Sequence, residues 1–255
     1  MELHVLAALA LSGLIGLSLG LLGGGGSILA LPVLVYVAGV DTRIAVVMSL
    51  AIVGATSLAG SLTHWRAGRV NTPVALIFGA AGFCGAIPGS WLTHMVSGGV
   101  LLLLFAMLML LVGALMLFRR QATEPDPGGH VRMHLPLPLA AGFGVGMLTG
   151  FLGVGGGFLI VPALVLLTNL PMGQAVGTSL LVIAINSASG LIGHLGQSHL
   201  PVALTLGFTC MAIAGALAGA RAAGHMPQAM LRRGFALFVI AVGLWLLARN
   251  YNALY

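Results

Sequence analysis

Hydrophobic positions in this chain run in stretches of up to about 20 residues, the length that carries a helix across a bilayer core. They cover Leu3 to Leu22, Ser27 to Val40, Ile44 to Trp65, Pro73 to Val96 and Val100 to Phe118. The polar stretch RRQATEPDPGGHVRMH, Arg119 to His134, then breaks the pattern with proline, glycine and charge, as a linker does. Beyond it the apolar stretches resume at Leu135 to Leu152, Phe158 to Asn169, Gln174 to Gln197, Pro201 to Ala223 and Leu231 to Ala248. The pattern predicts an all-α polytopic membrane protein with repeats at residues 1–118 and 135–255, joined by a cytoplasmic linker at 119–134. In each repeat the second segment is too short to cross comfortably, which suits a half-membrane helix or one arm of a re-entrant hairpin.

The second set of segments copies the first at a spacing of 130 residues. Gly20, Leu22, Gly23, Gly25, Gly26, Leu29 and Pro32 recur as Gly150, Leu152, Gly153, Gly155, Gly156, Leu159 and Pro162. Ser49, Leu50, Ser57, Gly60 and His64 recur as Ser179, Leu180, Ser187, Gly190 and His194, and Gly85 and Gly89 as Gly215 and Gly219. A repeat that spans nearly the whole chain means that the fold is built twice.

Composition sharpens the class. Hydrophobic residues make up 59% of the 255 and charged residues only 5%, where a soluble domain carries about 25% charged residues. The net charge of +6 does not point to nucleic acid, because all ten basic residues are arginines scattered at segment ends without a basic stripe. Cys84 and Cys210 lie inside apolar runs and read as packing residues, with neither metal-ligand spacing nor a disulfide framework. The start, MELH, lacks a basic n-region and reads as the beginning of a first membrane helix.

The arginines also set the orientation. If each half crosses the membrane an odd number of times, eight arginines fall on one side and only Arg43 and Arg249 on the other. Four crossings per half would split them six against four, so the positive-inside rule favours odd crossing. Odd crossing inverts the second repeat relative to the first. It places both termini on the periplasmic or extracellular face.

Short, glycine-interrupted segments at matching places in inverted repeats mark transporter binding sites. LGGGGSILALP at Leu22 to Pro32 and LGVGGGFLIVP at Leu152 to Pro162 are such a pair. Their helix starts offer backbone amides, a favourable dipole and room for close approach, which together suit a small anion. Gly24, Gly25, Gly26, Ser27, Gly155, Gly156 and Gly157 are therefore candidate substrate contacts. Thr56, Ser57, Asn186 and Ser187 fall near the middle of their segments and join them, as do Ser49, Thr178 and Ser179 nearer the segment starts. His64, Arg66 and His194 end their segments and suit a gate, vestibule or helix cap. Only Glu2, Asp41, Glu124 and Asp126 are acidic and none lies at mid-membrane, which argues against a carboxylate-driven cation pump. No cofactor or metal motif occurs, so none is expected. The alternatives are an anion channel and an intramembrane serine hydrolase, the latter because GTSL and SASG place serines near His194. A homo-oligomer is compatible with the sequence.

FLGVGGGFLIVPALV, then AVGTSLLVIAINSASGLIGHL, then GALAGARAAGHMPQAMLRRGFALFV, together resemble the TauE/SafE (TSUP) family of membrane permeases. GLLGGGGSILALP, AVVMSLAIVGATSLAGSLTHW and GAIPGSWL are a fainter copy in the first half. The resemblance implies transport of sulfur-containing anions such as sulfite, sulfonates or sulfoacetate across the bacterial inner membrane.

Overall fold

The structure, a computed structural model, describes residues 2–93, 98–118, 136–152, 157–168, 170–193 and 201–250. Every regular element among them is helical. In the first half α1 spans Glu2–Leu22, α2 Ser27–Pro32, α3 Thr42–Arg66, α4 Thr72–Thr93 and α5 Gly98–Phe118. In the second half α6 spans Pro136–Leu152, α7 Gly157–Leu166, α8 Met172–Gly193, α9 Val202–Ala223 and α10 Gln228–Asn250. The linker at 119–134 lies outside the described residues.

The chain is a multi-pass membrane protein, and its burial pattern follows from that solvent. Stretches of α3, α4, α9 and α10 are long and apolar enough to cross a bilayer. Leu76 and Phe83 on α4, Met107 and Leu111 on α5, and Leu237 and Trp245 on α10 point outward. Lipid solvates such a surface as well as a core does, so the polar side chains are the ones that turn inward. Ser12, Thr56, Ser57, His64, Thr178, Ser179 and Ser187 are all buried. Cys84 and Cys210, expected as packing residues, are instead exposed. A thiol is apolar enough to sit among the leucines of an outer face.

The short segments differ from a plain half-helix in one respect. Ser27–Val40 is α-helical only through Pro32, and Val33–Val37 widens into a π turn. Proline offers no N–H to the preceding turn and crowds the carbonyl four residues back, so the chain leaves α-helical register there. Pro162, the repeat mate of Pro32, is accommodated inside α7. Both segments end in the same closure, with Val40 N–H donating to Leu34 O (3.0 Å) and Leu170 N–H donating to Leu164 O (3.2 Å).

The helices pair between halves, and each pairing occurs twice or is reciprocal. α1 packs along α9, and α6 along α4. A side-chain carbon added at Gly16 would fall on the backbone of Ala212, and one at Gly146 on that of Gly82, positions related by the 130-residue spacing. One at Gly215 would lie 2.8 Å from Leu17 N, and one at Gly85 lies 3.0 Å from Met147 N. These glycines let backbones touch, the usual way to hold helices together where lipid gives no hydrophobic drive.

α3 and α8 run antiparallel across the centre. Leu50 sits over Gly190, Ser187 over Gly54, Leu180 over Gly60 and His64 over Gly177, so one number rises as the other falls. The Leu50·Gly190 and Gly60·Leu180 contacts are a reciprocal pair, each with a glycine-to-leucine approach of 3.2 Å. α5 and α10 repeat the arrangement, with Gly113 against Ala236 O and Gly243 against Ala106 O.

Candidate functional site

Where α1 ends, Gly23 takes φ 74°, a left-handed conformation open to glycine, and its N–H donates to Leu19 O at 2.8 Å. The turn carries the chain into a 3-10 turn, Gly24–Gly26, and then into α2. Nothing larger than glycine fits at Gly23, because an added carbon would lie 2.6 Å from Ser179 Oγ. Gly24 is tighter still. Its added carbon would overlap the carbonyl of Gly157 and lie 2.9 Å from Phe158 N, so the glycine run of one half lies backbone to backbone against the start of α7 in the other. From the opposite side, Gly157 faces Ser27 Oγ and Ile183 Cδ1.

The other glycines of the first run do different jobs. Gly25 faces the rings of Phe238 and Phe235 on α10, and Gly26 packs back on Ile15 O and Ser18 Oγ of α1. Ser27 Oγ donates to Gly24 O at 2.7 Å and so caps the turn. Gly155 and Gly156 lie outside the described residues.

The contact of Gly24 with Gly157 is flanked by one face of α8. Ser179 touches Gly23 and Ile183 touches Gly157. Asn186 follows at the i, i+4, i+7 spacing that keeps residues on one helix face, so it shares that face. Ser49, Val53 and Thr56 repeat the pattern on α3, 130 residues earlier. Thr56 and Asn186 are thus repeat mates, and both lie at the level where α3 and α8 cross.

Hydroxyls in this molecule usually bond their own helix. Ser49 Oγ donates to Val46 O and Ser179 Oγ to Val176 O, each at 2.8 Å, and Thr205 and Thr209 bond the carbonyls four residues back. Thr56 Oγ1 and Ser57 Oγ depart from this habit, for both are buried without a hydrogen-bond partner among the described residues, as is Asn186 Oδ1. A buried polar group left unpaired costs about 1–3 kcal/mol, a penalty that a ligand or water removes. Ser187 lies at the same crossing, its Cβ 3.0 Å from the position of a carbon added at Gly54.

Two candidates also link helices through hydrogen bonds. Thr178 Oγ1 accepts a hydrogen bond from Asn71 N–H at 3.0 Å, fastening the α3–α4 connection onto α8. His64 is buried at the end of α3, with Nε2 3.1 Å from Gly20 O in the last turn of α1. Arg66 is exposed at the same end, and His194 lies outside the described residues. The sequence reading missed Asn71, whose Oδ1 accepts from Val74 N–H at 3.2 Å and caps α4. The string Asn71-Thr72-Pro73 carries that signal, an N-cap residue just ahead of a proline in the first turn. It also missed Gly23, whose left-handed turn is not distinguishable from its glycine neighbours by residue type.

Residues 8–246 match the family described as Sulfite exporter TauE/SafE. The chain belongs to the TauE/SafE family. Among relatives, a protein of Xylella fastidiosa named "Probable membrane transporter protein" is 38% identical over 248 residues, covering 95% of this chain and 94% of its own. The "Probable membrane transporter protein YdhB" of Bacillus subtilis is 28% identical, covering 92% of this chain and 96% of its own. A Haemophilus influenzae protein with the same description as the first is 27% identical over 94% of this chain and 97% of its own. No solved structure matches. This TauE/SafE chain is therefore a membrane transporter.

Proposed function

We propose that this TauE/SafE protein is a secondary transporter of the bacterial inner membrane that carries a small sulfur-containing oxyanion, of the sulfite, sulfonate or sulfoacetate type, by alternating access. Two observations support the reading: Gly24 of one half lies against Gly157 of the other, and Asn186, one turn of α8 beyond the Ile183 that faces Gly157, carries a buried oxygen without a hydrogen-bond partner, as does its repeat mate Thr56. Hydroxyls, a side-chain amide and glycine backbone together form a neutral hydrogen-bonding wall, and such a wall selects a small anion when no carboxylate competes. Among the described residues no acidic side chain is buried. The family description, with its reference to sulfite export, points to the same class of anion.

Alternating access rests on inverted repeats, and the helix pairing supports inversion. Equivalent helices that cross antiparallel with reciprocal contacts, as α3·α8 and α5·α10 do, are related by a twofold axis perpendicular to them. For membrane-spanning helices that axis lies in the plane of the bilayer, which exchanges inside for outside. Parallel packing of α1 on α9, and of α6 on α4, fits the same scheme. In this scheme, and in keeping with the arginine distribution, the 119–134 linker is cytoplasmic and both termini are periplasmic or extracellular. Single cysteines placed in that linker are expected to react with an impermeant maleimide only from the cytoplasmic side, and cysteines at either terminus only from outside. Opposite labelling of the two termini would end the inverted-repeat scheme.

Transport itself is tested in proteoliposomes. Radiolabelled sulfite or methanesulfonate uptake is expected to saturate and to show counterflow against an internal unlabelled pool. Current without counterflow would identify an anion channel instead, and the absence of flux for every small sulfur oxyanion would remove the substrate class.

A further inference from the structure

His64 is the only fully buried ionisable side chain among the described residues. A carbonyl can only accept, so the 3.1 Å contact with Gly20 O makes Nε2 the N–H donor. In the neutral ring Nδ1 is then a bare lone pair, and it is buried with no partner. The ring stands between two elements that meet at the anion seat. Gly20 opens the last turn of α1, three residues before Gly23 lies against Ser179, and Gly177, two residues before Ser179, faces the His64 Cβ.

The charged groups around it are few. α1 has no ionisable residue between Val5 and Leu22, and α8 has none between Met172 and Gly193. On its own element Arg66 is exposed, and in the next turn Arg69 donates its backbone N–H to His64 O while its guanidinium lies beside Gly224. Arg221, at the end of α9, is exposed. Among the described residues no carboxylate faces the ring from these helix ends, so a proton on Nδ1 finds no counter-ion among them. An anion in the seat would be the counter-ion.

We infer that His64 Nδ1 is a proton-binding site coupled to the anion seat, so that the carrier takes up one proton with each oxyanion it binds. The inference rests on the oxyanion reading of that seat. The proton comes from an aqueous acid, hydronium or buffer, whose bond to the proton breaks as Nδ1–H forms, and it returns to water or buffer base by the reverse transfer. Coupling is reciprocal: a proton on the ring strengthens anion binding as much as the bound anion strengthens the ring's hold on the proton.

The test is calorimetric titration of the purified protein with methanesulfonate, which stays anionic through neutral pH, in buffers of differing ionisation heat. Wild type is expected to take up close to one proton per anion in the pH range where the ring is neutral before binding, with affinity falling by up to about tenfold per pH unit. His64→Gln, whose amide can still donate to Gly20 O, is expected to bind the anion with no proton uptake and a flat pH profile. Wild-type binding without proton uptake, or a glutamine variant that takes up protons as wild type does, overturns the coupling and leaves the anion seat standing. Failure of wild type to bind methanesulfonate or sulfite at any pH removes the seat, and the coupling with it. If the glutamine variant does not fold, nitrogen NMR of the wild-type imidazole decides. Nδ1 protonating at higher pH with anion bound supports the inference, and an unchanged titration overturns it.

Discussion

Gly24→Val is expected to abolish transport and sharply reduce the yield of monodisperse protein, while Gly25→Ala leaves both near wild type. The two glycines are neighbours, but they face different atoms. A side-chain carbon at position 24 overlaps the main-chain carbonyl of Gly157, and a main chain cannot rotate aside as a side chain can. Overpacking of a well-filled interior costs about 1–3 kcal/mol, and here relief requires the two halves to separate where they touch. At position 25 the nearest atoms are ring carbons of Phe238 at 3.4 Å and of Phe235 at 3.5 Å, ordinary contact that a small ring shift accommodates. Thermal unfolding in detergent and sulfite uptake on the same preparations check the pair. A Gly24→Val protein that melts and transports as wild type does would show that the close approach of Gly24 to Gly157 has no role.

The membrane class and the long helical segments were legible because the bilayer imposes one length and one polarity on each span, whereas Ser27 to Val40 was not, since it ends its α-helix at Pro32. The expected Ile44 to Trp65 segment is found as Thr42–Arg66, and Pro201 to Ala223 as Val202–Ala223. Less legible were features that depend on partners far away in sequence. The string GGGG does not reveal that Gly24 meets Gly157, Gly25 meets phenylalanines and Gly26 folds back on α1, since residue type is identical and only tertiary contact differs. The outward placement of Cys84 and Cys210 was missed for a related reason. In lipid the apolar face carries no mark of inside or outside, and only polar neighbours on the same helix give direction. Thr56 and Asn186 were legible by depth, while the absence of hydrogen-bond partners for their oxygens needed coordinates.

Asn186→Leu separates folding from binding more cleanly than any glycine change. Asn186 Oδ1 has no partner among the described residues, so an apolar side chain of similar volume relieves a buried polar atom and leaves stability equal or slightly raised. If the amide exists to meet the anion, its removal costs about 1.5–3 kcal/mol for a hydrogen bond to a charged group, or roughly 10- to 150-fold in affinity. The direct measurement is equilibrium binding of sulfite or methanesulfonate to purified wild type and Asn186→Leu by calorimetry, with melting temperature recorded on the same samples. An anion seat that includes Asn186 predicts one saturable site in wild type, weakened at least tenfold in a variant that melts no lower. Equal affinity in a folded Asn186→Leu protein would place the anion elsewhere in the molecule and contradict the account.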